Sequence, residues 1–237
     1  MSADFDWIFF DCFNTLIDDF DDSGDESGLG SIPELAAAHG FHASRAEFVA
    51  DYRRQRGAAA AHGREMPLGE RLRRTLAAHP TAAPAERIAA TTGAMLEVWE
   101  KEYSRLLRPT PGVAAMLAHW GPRQPIGVVS NFFLPDRPAG YLRRFGLDAN
   151  LAFVLDSAAF GWRKPNPAIF HEALRLAGLG GGDAGRVLFV GDRPDLDILP
   201  ARALGFQPLH FNRRHTRPGV EPTPAGVPAI HDWAEFR

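Results

Sequence analysis

The chain carries an apolar run of strand type that ends abruptly in a carboxylate. The run is Trp7–Phe10, Asp11 follows it directly, and the hydroxyl of Thr15 comes four residues later across a short turn. An aspartate at the carboxyl end of a buried parallel strand lies in the crevice where open α/β sheets bind ligands, and such a carboxylate can act as a nucleophile. The position two residues after Asp11 is unusual, because Phe13 stands where such sites often carry a second acid.

Two further segments bring groups that suit an anion. A second apolar run, Ile126–Val129, delivers Ser130, whose hydroxyl can donate to an anionic oxygen. Lys164 stands immediately before Pro165, at the start of a helical pattern. Of the 26 basic residues only Lys164 and Lys101 are lysines, so we interpret Lys164 as a compact ammonium that neutralises a nucleophilic carboxylate and a bound anion.

A group of carboxylates follows the apolar run 187–190. Asp192, Asp195 and Asp197 come within one short loop after Gly191. Hard oxygen ligands at a strand end suit Mg²⁺, which binds one or two carboxylates together with waters and substrate oxygens. Asp192 and Asp197 are predicted metal ligands, whereas Asp195 is interpreted as an acid that complements a helix N-terminus.

The elements that must position these residues alternate along the chain. Five short apolar runs are predicted to be buried strands: Trp7–Phe10, Ile126–Val129, Leu151–Leu155, Val187–Val190 and Pro208–Phe211. Helical patterns lie between the later runs, at Pro111–Trp120, Pro167–Gly178 and Leu196–Gly205. This alternation predicts an α/β fold with a Rossmann-like parallel sheet and helices on both faces.

Residues 18–108 lack this alternation of strands and helices. They contain no convincing strand, and helical stretches are predicted around Ile32–His39, Ser44–Arg56, Leu68–His79 and Ala85–Leu107. We therefore expect two domains, an α/β core formed by residues 1–17 and 109–237 and an all-helical domain formed by residues 18–108.

Composition narrows the functional classes. A net charge of −3 without a long basic block gives nucleic-acid binding no electrostatic support. No stretch reaches about 18 consecutive apolar residues, so no membrane span is expected. The single cysteine, Cys12, excludes an internal disulfide and a cysteine-rich zinc site. We expect a cytoplasmic protein, a monomer or homodimer, with a small anionic molecule as its partner.

Taken together and in this order, the four motifs resemble those of the haloacid dehalogenase (HAD) superfamily. The matching residues are Asp11 with Thr15, Ser130, Lys164 with Pro165, and Gly191-Asp192 with Asp197. The resemblance covers the sheet-forming parts of the chain, roughly 1–18 and 109–237, and the helical insert is similar to the cap that these enzymes place over the site.

The resemblance implies a mechanism with a covalent intermediate. Asp11 would attack the substrate and form an aspartyl ester or a phosphoaspartate, while Thr15 and Ser130 hold oxygens of the transferred group and Lys164 neutralises charge. In the Mg²⁺-dependent members the metal would lie between Asp11, the backbone carbonyl of Phe13, Asp192 and Asp197. Asn14 and Asn131, which adjoin these motifs, are predicted to bind substrate, as is Phe13.

Phe13 departs from the pattern of the superfamily's phosphatases. Their acid at this position protonates the leaving alcohol and then activates water, a contribution typically worth about 10²- to 10⁴-fold in rate. The haloacid dehalogenases carry an aromatic residue, tyrosine, at this position, because a halide leaves without a proton; Asp197 would then activate water. Arg53 and Arg54 are candidates to hold a halide or carboxylate, although a solvated helix face explains them at least as well.

The fourth motif favours the metal-dependent phosphatases. If Asp192 faced Asp11 without a cation, repulsion between the two negative charges would raise the pKa of one carboxylate, and that carboxylate would bind a proton. A protonated Asp11 is a poor nucleophile. We therefore predict a real Mg²⁺ site and, first, phosphatase-type hydrolysis. Dehalogenation is the second possibility, and a binding protein that has lost turnover is the third.

Overall fold

The chain divides into two compact units. The computed structural model describes residues 5–19, 29–60, 62–79, 83–213 and 221–237. One unit comprises residues 1–18 and 108–237, and the other comprises residues 19–107. The first unit therefore includes Asp18 and Arg108, one residue beyond each predicted boundary.

The first unit is built on a sheet of parallel strands. The strands are β1 (Trp7–Phe10), β2 (Ile17–Asp18), β3 (Arg108–Pro109), β4 (Ile126–Ser130), β5 (Leu151–Asp156), β6 (Val187–Gly191), β7 (Gln207–Phe211) and β8 (Ala229–Ile230). Six of them form one sheet in the order β5-β4-β1-β6-β7-β8, with every pairing parallel. The other two, β2 and β3, form an antiparallel ribbon.

Helices occur in both units, whereas all of these strands lie in the first. They are α1 (Ile32–Ala38), α2 (Arg45–Ala60), α3 (Leu68–Ala77), α4 (Ala85–Leu106), α5 (Val113–Trp120), α6 (Arg137–Arg144), α7 (Ser157–Phe160), α8 (Pro167–Leu176) and α9 (Leu199–Ala203). Short 3-10 turns cover Gly181–Arg186 and Trp233–Glu235, and one turn of π-helix covers Pro194–Ile198.

The predicted α/β fold with a Rossmann-like parallel sheet is confirmed. All five predicted strands are present, within two residues of their expected ends. β8 was not predicted, because two residues are too short to show a period. None of the helices in the described ranges is long and apolar enough to cross a membrane.

Aromatic side chains fill the core on both faces of the sheet. Residues of β1 alternate between the two faces, as strand geometry requires. Phe9 lies 6.2 Å from Phe206 between ring centroids, in the same cluster as Phe170 of α8, and Phe10 meets the indole of Trp233 at 5.8 Å. Such rings bury large apolar areas and stabilise the layers strongly.

The order of the strands brings the predicted motifs together. β1 lies between β4 and β6, so the residues that follow these three strands share one edge of the sheet. Gly127 of β4 leaves room for the ring of Phe153 on the neighbouring strand β5, since a Cβ at position 127 would lie 2.3 Å from that ring.

The second unit, residues 19–107, consists of α1 to α4 in the part that the structure describes. Trp99 and Tyr103 of α4 stack at 4.4 Å between ring centroids. The buried guanidinium of Arg71 donates to the hydroxyl of Tyr52 at 2.7 Å and to the carbonyl of Met66 at 2.9 Å. The buried carboxylate of Glu65, 3.4 Å from the same guanidinium, balances a charge that would otherwise be costly to bury. The role of this unit as a cap stays a prediction.

Candidate active site

Asp11 directly follows β1, and both of its carboxylate oxygens are hydrogen-bonded. The Thr15 hydroxyl donates to Oδ2 at 3.0 Å, and the Lys164 ammonium donates to Oδ1 at 2.6 Å. The amide of Asp11 donates to the carbonyl of Val190 at 2.8 Å, which continues the pairing of β1 with β6. These bonds hold the carboxylate in one orientation at the edge of the sheet.

Lys164 is shared between two carboxylates. Its side chain is only 1% exposed, and Nζ lies 2.6 Å from Asp11 Oδ1 and 2.7 Å from Asp197 Oδ1. Nζ also donates to the carbonyl of Val129 at 2.8 Å. Burial opposes the charged form, but the two carboxylates outweigh it and raise the pKa of Lys164. The two carboxylates thus hold the side chain in its ammonium form.

Asn131 clamps the backbone of Lys164. Its Oδ1 accepts from the Lys164 amide at 2.7 Å, and its Nδ2 donates to the Lys164 carbonyl at 2.9 Å. The side chain lines the cavity but uses both ends of its amide on the lysine loop. The bonds of Asn131 therefore indicate a positioning role, while its predicted contact with substrate stays a prediction.

Asp197 lies on the π-helical turn, packed against Gly191. Its Oδ2 accepts from the Arg193 amide at 3.0 Å, and a Cβ at position 191 would lie 2.5 Å from the same oxygen. Glycine is therefore required for this approach. Burial, reinforced by Asp11 and opposed by Lys164, raises the pKa of Asp197 to about 6.

Three carboxylates converge at the predicted metal site. Asp11, Asp192 and Asp197 each offer an oxygen, and these oxygens lie within 4.8 Å of one another. With Lys164 as the ammonium between two of them, the cluster has a formal charge of −2. Buried oxygen donors with an excess of negative charge fit Mg²⁺. The predicted ligation by the Phe13 carbonyl stays a prediction.

Two uncharged polar atoms near the cluster are buried without a hydrogen-bond partner among the described residues. They are the hydroxyl of Ser130, at the end of β4, and Oδ1 of Asn14, which has a left-handed backbone with φ of 65°. Ser130 is 0% exposed. Asn14 lines the cavity described below, whereas Ser130 does not. A buried hydroxyl is normally paired, and the predicted contact of Ser130 with an anionic oxygen stays a prediction.

A cavity of about 110 Å³ opens onto this cluster. It is lined by Asp11, Phe13, Asn14, Asn131, Lys164, Asp192, Arg193, Leu196 and Asp197. This volume can hold a small group such as a phosphoryl group.

Phe13 forms an apolar wall of this cavity. Its ring stacks on Phe132 at 4.5 Å between centroids and meets the edge of Tyr141 at 6.4 Å. The residue is 9% exposed. The position thus presents an aromatic surface to the site where a second acid would donate a proton.

Arg53 and Arg54 lie on α2, in the other unit. Both are exposed, and Arg54 forms an ion pair with Asp51. Their predicted contact with substrate stays a prediction.

Sequence reasoning missed three residues at the site, Arg193, His210 and Leu196, which also lines the cavity. Arg193 lines the cavity, and its side chain donates to Asp195 through Nε at 3.0 Å and Nη2 at 2.9 Å. Its place inside the fourth motif could have drawn attention to it. His210 of β7 contacts the backbone of Asp192, and no local pattern points to this contact.

Comparisons with known proteins agree with this geometry. The family model for haloacid dehalogenase-like hydrolases matches residues 5–205. Pyrimidine 5'-nucleotidase YjjG of Escherichia coli K12 is 30% identical over 154 residues, 64% of this chain and 67% of that protein.

Solved structures share the fold. A 2-haloacid dehalogenase from Pseudomonas syringae pv. tomato DC3000 has a TM-score of 0.75 at 22% identity, and a HAD phosphatase from Thermococcus onnurineus has a TM-score of 0.66 at 17% identity. Both alignments cover 98% of this chain and 96% of the other. With the sheet order, the lysine-bridged carboxylates and the family match in agreement, the chain belongs to the haloacid dehalogenase-like hydrolases.

Proposed function

We propose that this protein is a Mg²⁺-dependent phosphohydrolase that acts on a small phosphate with a good leaving group, through a phosphoaspartate on Asp11. The observation that carries the proposal is the cluster of Asp11, Asp192 and Asp197, whose excess negative charge calls for a divalent cation. A dehalogenating aspartate needs no such cation. The E. coli relative named as a nucleotidase supports the phosphate class.

The first step forms a covalent intermediate. A carboxylate oxygen of Asp11 attacks phosphorus, the bond from phosphorus to the leaving oxygen breaks, and the leaving group departs with the electron pair. The Lys164 ammonium and the Ser130 hydroxyl stabilise negative charge on the phosphoryl oxygens. Asp11, Asp192 and Asp197 would hold Mg²⁺, which would neutralise charge and polarise a phosphoryl oxygen. Water then attacks phosphorus, the bond between phosphorus and the Asp11 oxygen breaks, one proton of the water passes to solvent, and inorganic phosphate leaves.

The surroundings of the leaving group determine the substrate class. Phe13 cannot donate a proton, and the raised pKa of Lys164 keeps its proton on nitrogen. Asp197 also lines the cavity, but its oxygens are engaged by Lys164 and the Arg193 amide, so we infer that it does not replace the missing acid. The leaving group then departs as an anion, which aryl and acyl phosphates do readily. Alkyl phosphates should be slower by about the 10²- to 10⁴-fold that an acid supplies.

A substrate panel tests the proposal. We expect Mg²⁺-dependent phosphate release from p-nitrophenyl phosphate and acetyl phosphate, loss of that activity in EDTA, and its abolition in Asp11→Asn. We expect Phe13→Asp to accelerate glycerol phosphate hydrolysis far more than p-nitrophenyl phosphate hydrolysis. Phosphate release that survives Asp11→Asn or EDTA would overturn the mechanism.

Dehalogenation is a second candidate, and the aromatic wall at Phe13 favours it. Asp11 would attack carbon, a halide would leave without a proton, and Asp197 would activate water against the ester. This reaction predicts halide release from 2-chloropropionate that persists in EDTA. Turnover of neither substrate class would overturn both candidates.

A further inference from the structure

His210 is a buried histidine that the proposed mechanism does not use. It lies in β7, beside Gly191 of β6 in the sheet register, and is 0% exposed. It also lies beyond residues 5–205, the part of the chain that the family model matches. A fully buried imidazole next to the metal-binding loop needs an explanation, because its polar atoms must be satisfied.

The contacts of the ring define its tautomer. Nε2 lies 3.2 Å from the carbonyl oxygen of Asp192, which can only accept, so Nε2 carries the proton. Nδ1 then holds the lone pair and accepts from the hydroxyl of Thr223 at 2.9 Å. That hydroxyl in turn accepts from Nδ2 of Asn212 at 2.9 Å. These groups form a chain of hydrogen bonds, here called the relay, in which Asn212 donates to Thr223, Thr223 to His210, and His210 to Asp192.

The backbone around His210 is hydrogen-bonded to β8 and to the residues that flank it. The His210 amide donates to the carbonyl of Pro228 at 3.0 Å, and the Asn212 amide donates to the carbonyl of Ile230 at 2.8 Å. The carbonyl of Asn212 accepts from Nδ1 of His231 at 2.7 Å. The backbone of His210 is therefore held by these hydrogen bonds, and its ring is held by Thr223 and the Asp192 carbonyl.

We propose that His210 is a positioning residue of the metal site: its Nε2–H holds the Asp192 carbonyl, and Thr223 keeps the ring in the tautomer that can donate. Asp192 directly follows Gly191, the last residue of β6, so a hydrogen bond to its carbonyl fixes the backbone from which the carboxylate projects. This inference rests on the proposed function, since it requires that Asp192 ligates the metal.

The test measures metal affinity rather than activity. Metal-depleted protein is titrated calorimetrically with MgCl₂, and MnCl₂ binding is followed by electron paramagnetic resonance. His210→Leu should weaken binding by about 10- to 100-fold, the usual cost of losing a partner that orients a metal ligand. His210→Gln, whose amide can still donate to the Asp192 carbonyl, should bind nearly as well as the wild type.

Thr223→Val tests the tautomer without altering the histidine. It keeps the shape of the side chain but removes the donor to Nδ1, so it should also weaken metal binding. Trp120→Phe is the matched control, because it removes a hydrogen bond to the same terminal segment, at the Phe236 carbonyl, without touching the relay. It should leave metal affinity unchanged.

The outcomes separate the two proposals. A wild-type protein that binds neither cation, or an Asp192→Asn variant that binds as well as wild type, would overturn the metal site itself and the role of His210 with it. Loss of binding in Asp192→Asn, together with wild-type affinity in both His210→Leu and Thr223→Val, would overturn only the role of His210. If His210→Leu does not fold, Thr223→Val and His210→Gln decide.

Discussion

Replacing Lys164 with methionine should destabilise the metal-free protein strongly. The ammonium is 1% exposed and lies 2.6 Å and 2.7 Å from oxygens of Asp11 and Asp197. Methionine fills similar space but leaves two buried carboxylates without their counter-ion. Removing one partner from a buried ion pair costs about 3–5 kcal/mol in the free energy of unfolding. At about 2–4 °C per kcal/mol for a chain of this size, Tm should fall by roughly 6–20 °C.

The assay is urea and thermal unfolding in EDTA, followed by tryptophan fluorescence, since Trp120 and Trp233 lie in the same unit as Lys164. Lys101→Met is a matched control, because Lys101 is the other lysine of the chain and lies exposed on α4. A surface change of this kind should stay within about 0.5 kcal/mol of the wild type.

Two further measurements test the electrostatic cause. The double variant Lys164→Met with Asp197→Asn should recover part of the loss, because it removes one of the uncompensated charges. Mg²⁺ should raise the Tm of Lys164→Met more than that of the wild type, since the cluster then has a formal charge of −3 instead of −2. If Lys164→Met were as stable as Lys101→Met in EDTA, the view that the ammonium balances ionised carboxylates would be refuted.

Three other changes probe single contacts. With a pKa raised by burial to about 6, above the ordinary 3.8, Asp197 binds its proton more tightly in the folded state. The stability of the metal-free wild type relative to Asp197→Asn, taken from unfolding curves of both, should therefore fall by up to about 3 kcal/mol between about pH 4 and 7. Gly191→Ala should lower Mg²⁺ affinity, measured by calorimetry, by about tenfold or more, because the new Cβ would lie 2.5 Å from an Asp197 oxygen. Gly93→Ala is the control, because the space around Gly93 is open and Mg²⁺ affinity should not change. Asn131→Ala removes two hydrogen bonds to the backbone of Lys164 and should lower the free energy of unfolding by about 1–3 kcal/mol. Because Lys164 is then less firmly held, kcat should change more than KM, and an unchanged kcat would contradict this.

The sequence by itself determined the fold class and the strand ends that meet at one edge of the sheet. Asp11, Ser130 and Asp192 each stand at or next to the end of a short buried apolar run, and such runs alternating with helical patterns allow few arrangements other than a parallel sheet. Because parallel strands bring their carboxyl ends to one edge, the convergence of these side chains followed from local pattern alone.

The tertiary structure decided how those residues are held. Asn131 clamps the backbone of Lys164 from 33 positions away, and Thr223 acts on His210 from 13 positions away. Phe13 became an apolar wall only through its stacking on Phe132, far along the chain. Such contacts depend on strand register and loop packing, which leave no periodic trace in the sequence. The chemistry of the site was therefore readable from residue types and strand ends, whereas its positioning required the three-dimensional arrangement.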